Sequence, residues 1–383
     1  MSPNISFISS KQFKIALVAG ESSGDKLGGP LINSLKTHFP EAQFIGVGGP
    51  LMIKEGLDSI FSLDRISVMG IIGPLLKLPD LLKLRRRLKK YLLDNQPDIF
   101  IGIDSPDFNL SLAKFLRRKL NIKTVQYVSP SVWAWRKGRI KTVEKSVDRV
   151  LTLFPFEEIS YKDSAVEVSY VGHPLAHIMN PLPNKEKLKA KRGFKRDEKV
   201  IALLPGSRSS EISIMSGIII KAAELIKEKD SSIQFLMPLI DQEHKLLIPE
   251  DMNTEYINFS YGDSQEVLSL SDMGIVTSGT ASLEALLART PVIVAYKTNW
   301  INYALIKPFL NISHISLPNL LANTNLLPEL VQGEATPRNI FEAYKKFDGE
   351  KINKCLKEFE KIHEELKEGG PKKASEIIVD LLT

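Results

Sequence analysis

The chain holds one cysteine, Cys355, among 383 residues. A single thiol excludes an intrachain disulfide and a thiolate metal cluster. It suits a reducing compartment. No apolar stretch reaches the roughly 20 residues that a bilayer-spanning helix needs. The opening MSPNISFISSKQFK lacks a long apolar region behind a basic start, so it does not read as a secretory signal. There is no Walker A loop, and no G-x-G-x-x-G follows a strand. Nucleoside triphosphate hydrolysis and NAD chemistry are thereby disfavoured. An Asp-x-Asp metal motif is missing too.

What is present describes an ordinary globular chain. The hydrophobic fraction is 43% and the charged fraction 25%, which argues against disorder. Domains usually run to about 100–200 residues, so two are expected. Lys and Arg total 51 against 45 Asp and Glu, a formal +6 that favours acidic partners.

Apolar, β-branched runs alternate with helical patterns along most of the length. KIALVAG (14–20), FIGVGG (44–49), DIFIGID (98–104), TVQYVSP (124–130), RVLTLFPFE (149–157) and EVSYVGHP (167–174) read as strands. A polar, basic stretch at 175–198 follows. The pattern then restarts with VIALLPGSR (200–208), SIQFLMPLI (232–240), YINFSYG (256–262), MGIVTSG (273–279) and PVIVAYK (291–297). Near-continuous apolar strands between helices predict parallel sheets covered on both faces. The expected fold class is α/β with two Rossmann-like domains. The boundaries are 1–175 for the first, 176–345 for the second, and 346–383 for a charged helical tail.

Ligands of such sheets bind beyond the carboxyl ends of the strands. Ser278-Gly279-Thr280 lies between a strand and the helix ASLEALLA. A helix start offers unpaired N–H groups and partial positive charge, which suits a diphosphate. Glu284, one helical turn beyond Thr280, could hold ribose hydroxyls. The plainer alternative is an N-cap with a first-turn acid. Arg208, in Pro205-Gly206-Ser207-Arg208, could clamp a diphosphate with its forked donors, or simply be an exposed arginine at a turn. Both signals in one domain favour a nucleotide-diphosphate site.

Two features of the first domain compete for chemistry. Gly20-Glu21-Ser22-Ser23-Gly24 matches the G-x-S-x-G of a hydrolase nucleophile elbow, with His173 as a paper partner for Ser22. It sits on the first strand, however, and would leave the second domain without work. Asp104 ends a strand and can serve as a general base, or as a cap or ion-pair partner. Asp107, after Pro106, looks more like a helix cap. His173 and His177 lack a third metal ligand and read as structural. Residues 66–93 join an apolar, glycine- and proline-broken stretch to a helix rich in Lys and Arg, which suits an anionic membrane surface. The plainer reading is a core helix with a solvated face. Nucleic acid is disfavoured because aromatics for base stacking are missing there.

Taken together, AGESSGD (19–25), GIDSPDFN (102–109), YVSPSVWAWRKGR (127–139), FPFE (154–157), VGHPL (171–175), LLPGSR (203–208), SGTASLEALL (278–287) and LPNLLAN (317–323) resemble the lipid-A-disaccharide synthase family in order and spacing. GESSGD departs slightly from the more usual GEASGD. The ending of LLAN also departs, so Asn323 is not carried over. The resemblance implies a GT-B-like fold, with two Rossmann-like domains facing across a cleft and C-terminal helices returning to the first. It implies an inverting transferase acting on UDP-2,3-diacylglucosamine and 2,3-diacylglucosamine 1-phosphate, with no metal and no cofactor. Asp104 is then the base, with Glu21 or Asp25 as undecided assistants, and Asn319 is a further site residue. Arg208, Ser278, Gly279 and Thr280 bind the diphosphate, and Glu284 the ribose. Trp133 and Trp135 either shape the site or pack. The expected location is the cytoplasm, peripheral to the inner membrane through residues 66–93. A homodimer is left open.

Overall fold

The eleven apolar runs all become strands, and the central ones, such as Ile99–Ile103, Val200–Leu204 and Met273–Thr277, are buried on both faces. In the first run, Ile15, Leu17 and Ala19 belong to one core cluster, while Ala16 and Val18 belong to another. This is the period of two expected of a strand with helices above and below. The computed structural model describes residues 12–63, 78–133, 137–179, 182–300, 303 and 313–383.

Two units divide the chain: residues 1–174 with 368–383, and residues 175–367. The first holds β1 (Lys14–Ala19), β2 (Gln43–Val47), β3 (Leu57–Ser59), β4 (Ile99–Ile103), β5 (Lys123–Tyr127), β6 (Arg149–Thr152) and β7 (Glu167–Tyr170). They form one sheet in the order β3-β2-β1-β4-β5-β6-β7. All of its pairings are parallel. The second unit holds β8 (Val200–Leu204), β9 (Gln234–Leu239), β10 (Ile257–Tyr261), β11 (Met273–Thr277), β12 (Val292–Tyr296) and β13 (Glu329–Val331). Their order is β10-β9-β8-β11-β12-β13, again parallel throughout. Both sheets therefore run outward from their first strand in one direction and then in the other. The crevice where the direction reverses lies between β1 and β4 in the first unit, and between β8 and β11 in the second.

Strands β3 and β13 went unread in the sequence. Each has three residues and lies at a sheet edge, too short for any periodicity to show.

The basic stretch at 175–198 is not a loose connector. Its helix Lys185–Lys191 is anchored to the second unit by Lys189, buried and within 2.8 Å of Asp272. Arg192 pairs with Asp263 and Glu266. Of the tail, the helix Gly349–Lys367 stays with the second unit, where His363 Nε2 lies 2.9 Å from the Ala176 carbonyl. The helix Pro371–Leu382 returns to the first unit. It buries Ala374 and Ile378 in that unit's core and places Ser375 Oγ 2.8 Å from Ser34 Oγ. Cys355 is buried, and burial pushes its thiol up to about 12, so it is inert.

The helix Leu78–Asn95 turns Leu84, Leu88 and Leu92 into the core at helical spacing. Lys83, Arg86, Arg87 and Lys90 are exposed. This part of the 66–93 segment is a core helix with a solvated basic face. Residues 66–77, its apolar half, lie outside the described residues, as does Trp135.

Candidate functional site

The first crevice is built around Asp104. Asp104 and Ser105 follow β4 with φ of +54° and +40°, both in the left-handed region. Two consecutive non-glycine residues there are uncommon and strained, a condition that concentrates at functional sites. The surroundings enforce it. The Asn109 amide donates to the carbonyls of Val18 (3.1 Å), Ile103 (3.2 Å) and Asp104 (2.9 Å). The Gln126 amide donates to the Asp104 carbonyl at 3.0 Å. Gly20 must be glycine, because a Cβ there would sit 2.1 Å from Ser105 Oγ. The half-buried carboxylate accepts from Ser23 Oγ at 2.9 Å and from the Ser105 N–H at 2.8 Å. A carboxylate has about four acceptor positions, so lone pairs remain for a substrate hydroxyl.

The other residues of this motif have different work. Asp25 is buried, and its oxygens accept the N–H groups of Gly49 (2.9 Å), Leu51 (3.0 Å) and Met52 (3.0 Å). It caps the short helix Pro50–Lys54, and its lone pairs are largely committed. Ser22 is the first residue of the helix Ser22–His38 and is not among the positive-φ residues. A nucleophile elbow strains its serine; here the strain falls on Asp104 instead. His173 is buried against Phe154, ring centroids 5.2 Å apart, and burial pushes its pKa down to about 4. Asp107 pairs with Arg139 near the start of the helix Pro106–Leu120. Among the described residues, no three His, Cys, Asp or Glu side chains gather as metal ligands.

Past β5 and β6 lies an aromatic row. Trp133 meets Phe156 edge-on at 5.0 Å, and Phe156 stacks on Phe154 at 5.4 Å. Glu157 lies beneath, accepting from the N–H groups of Leu153 and Phe154, both at 3.0 Å, and from the Trp133 side chain. Burial raises its pKa to about 7 against the pull of those donors. Between the ordinary carboxylate range and pH 7, the unfolded chain releases a proton that the folded chain keeps. Stability from this group is therefore lost as pH rises through that window, with the full penalty above it. For Glu157→Gln, the difference in melting temperature from the parent should grow more positive between about pH 4.5 and 7, then level off. A difference independent of pH would contradict this.

In the second crevice two helix starts lie side by side. Pro205–Arg208 leads from β8 into the helix Ser209–Lys229, and Ser278-Gly279 leads from β11 into the helix Thr280–Leu287. The strands are direct neighbours, with Leu204 opposite Val276. Gly279 adopts φ +147° with open space around a would-be Cβ, so conformation alone demands glycine. Glu284 is held from the side by Gln265 Nε2 (3.0 Å) and Ser264 Oγ (3.3 Å), both on or opening the helix Ser264–Leu270. The Arg208 side chain is 77% exposed and donates to Glu211 at 2.6 Å. Glu211 also accepts the N–H groups of Ser207 and Arg208.

Asn319 stands apart from the other expected site residues. It is fully buried, and its amide is spent on protein partners. Nδ2 donates to the Leu327 carbonyl (2.9 Å) and Glu329 (2.8 Å), and Oδ1 accepts from Leu326 (2.9 Å) and Leu327 (2.8 Å). It has no group left to touch a substrate. Glu329, Gln265 and Gln126 were not singled out in the sequence, since nothing in their neighbours marks a partner so distant along the chain.

Comparison with known proteins supplies the chemistry. A family model described as lipid-A-disaccharide synthetase matches residues 15–379. A lipid-A-disaccharide synthase from Dechloromonas aromatica (strain RCB) is 40% identical over 377 residues, covering 96% of this chain and 98% of that protein. Lipid-A-disaccharide synthase 2 from Legionella pneumophila (strain Lens) is 41% identical over 380 residues, covering 98% of each. Among solved structures, a UDP-GlcNAc 2-epimerase from Neisseria meningitidis bound to UDP-GlcNAc aligns with a TM-score of 0.61 at 14% identity, over 97% of this chain and 99% of that one. A glycosyltransferase from Rickettsia africae ESF-5 gives 0.61 at 14% identity, over 98% and 100%. These two share the GT-B-like fold expected from the sequence.

Proposed function

The chain belongs to the lipid-A-disaccharide synthetase family, and from that premise we propose that it joins two acylated glucosamines. A 2,3-diacylglucosamine unit passes from its UDP derivative to the 6-hydroxyl of 2,3-diacylglucosamine 1-phosphate. The products are the β-1,6-linked disaccharide 1-phosphate and UDP. The observation that carries this reading is the family match over residues 15–379. Its weight is increased by the crowding of the shared motifs at the two crevices.

In this mechanism Asp104 takes the proton of the acceptor hydroxyl as the oxygen attacks the anomeric carbon. The bond from that carbon to the UDP oxygen breaks on the opposite face, so the configuration inverts. Charge developing on the departing diphosphate is met by N–H groups at the start of the Thr280–Leu287 helix and by Arg208. Arg208 turns to the diphosphate by exchanging its partner Glu211, a movement open to a side chain this exposed. Glu284, oriented by Gln265, accepts from the ribose hydroxyls.

We extend the proposal to peripheral attachment at an anionic membrane surface on the cytoplasmic side, where diacylated substrates would reside. The exposed Lys83, Arg86, Arg87 and Lys90 support this. Among the described residues, no helix is long and apolar enough to cross a membrane. The test of the main reaction is release of UDP in detergent from donor and acceptor together. Release no greater than from donor alone would contradict it.

A further inference from the structure

The network that consumes Asn319 leads back to the nucleotide site. Glu329 opens the edge strand β13, and its half-buried carboxylate collects four uncharged donors. Oε2 accepts the Ile315 N–H at 2.9 Å. Oε1 accepts the Ser316 N–H at 3.0 Å, Ser316 Oγ at 2.6 Å and Asn319 Nδ2 at 2.8 Å. On the far side, the Ile315 carbonyl accepts from Ser278 Oγ at 2.7 Å.

The Ser316 N–H and the Ile315 carbonyl belong to one peptide unit. A trans peptide is planar, with its N–H and C=O directed oppositely. Fixing the N–H therefore fixes the carbonyl. Glu329 grips one end of that unit with charge-assisted bonds, which are about twice as strong as neutral ones. Ser278 is attached to the other end. Asn319 steadies the same carboxylate and ties it to Leu326 and Leu327.

We propose that Glu329 is a positioning residue of the nucleotide-diphosphate site, acting through the 315–316 peptide on Ser278. The proposal rests on the reading of residues 278–280 as that site and deepens it. Because the single hydroxyl proton of Ser278 is committed to Ile315, Ser278 does not donate to the diphosphate through its side chain. Its task is to hold the turn whose next residue, Gly279, carries φ +147°. The donors to the diphosphate in this loop are then backbone N–H groups at the helix start and the Thr280 hydroxyl. Asn319 contributes indirectly, as a support of Glu329.

The experiment is calorimetric titration with UDP of the full chain, its Glu329→Gln and Ser278→Ala variants, and the double variant. Glu329→Gln places an amide donor among N–H groups that need an acceptor. Ser278→Ala lies outside the clasp and leaves its bonds intact. Each single change should weaken UDP binding about 10-fold, the worth of one lost hydrogen bond in an ordered site. The double variant should bind no more weakly than the weaker single variant, because both act through one peptide. The KM for the acceptor should stay unchanged, which a general loss of structure would not allow.

If the parent chain fails to bind UDP, the nucleotide reading falls and this proposal with it. If the parent binds UDP and either single variant binds it equally well, the proposal alone is overturned. Additive losses in the double variant overturn it too. Should Glu329→Gln fail to fold, Ser278→Ala decides by itself: unchanged UDP affinity refutes the role assigned to the 315–316 peptide.

Discussion

The Asp104→Asn variant is expected to lose about 10²-fold or more in kcat while keeping its fold and its affinity for UDP. The local geometry makes this substitution a clean one. Asparagine tolerates the left-handed backbone as aspartate does. Its amide oxygen can still accept the Ser105 N–H, now at 2.8 Å from Oδ1. The Ser23 hydroxyl, now donating to Oδ2 at 2.9 Å, can rotate to accept from the new amide nitrogen. The Asn109 and Gln126 bonds go to the backbone carbonyl and are untouched. What disappears is the ability to take a proton. If Asp104 were only a cap, the variant would instead lower the melting temperature and leave kcat near that of the parent. Steady-state kinetics beside thermal melts separates the two.

Arg208→Ala should lower kcat by about 10²–10³-fold, the loss typical when a preorganised donor to a developing anion is removed. Arg208→Lys should fall between, since lysine keeps the charge but loses the fork. Stability should change little, because the pair with Glu211 is exposed on the arginine side and surface pairs contribute about 0–1 kcal/mol. Glu211 would keep its bonds to the Ser207 and Arg208 N–H groups. A variant with unchanged kcat and a markedly lower melting temperature would return Arg208 to the role of a helix-end residue.

The parts of the fold with strong local signals were legible in the sequence. Strands such as Ile99–Ile103 announce themselves because both faces are buried and every position is apolar. The edge strands β3 and β13 carry no such signal. The proposed site residues Asp104 and Ser278 directly follow a strand and Arg208 lies in the turn after one, and sheet topology alone sends such positions to the ligand end. Asn319 shows where sequence pattern stops. Its surroundings LPN resemble a family motif, but a one-dimensional pattern does not say whether an amide faces a ligand or closes a loop. Here its partners are Glu329, Leu326 and Leu327. Asp25 shows the same limit: it lies in the same motif as Ser23, yet its carboxylate faces Gly49 and Met52 rather than Asp104. The basic helix Leu78–Asn95 was ambiguous because a solvated face and a membrane face have one composition. Its leucine stripe fixes only which side is buried.

The central claim is transfer with inversion between two acylated glucosamines, and the product tests it most directly. The purified chain is incubated in detergent with the α-linked UDP donor and the 1-phosphate acceptor. The lipid product is then isolated and the configuration of its new glycosidic bond determined by nuclear magnetic resonance. The account predicts a β-1,6-linked disaccharide 1-phosphate formed in equal amount with UDP. An α linkage, or UDP released with free diacylglucosamine and no disaccharide, would contradict it.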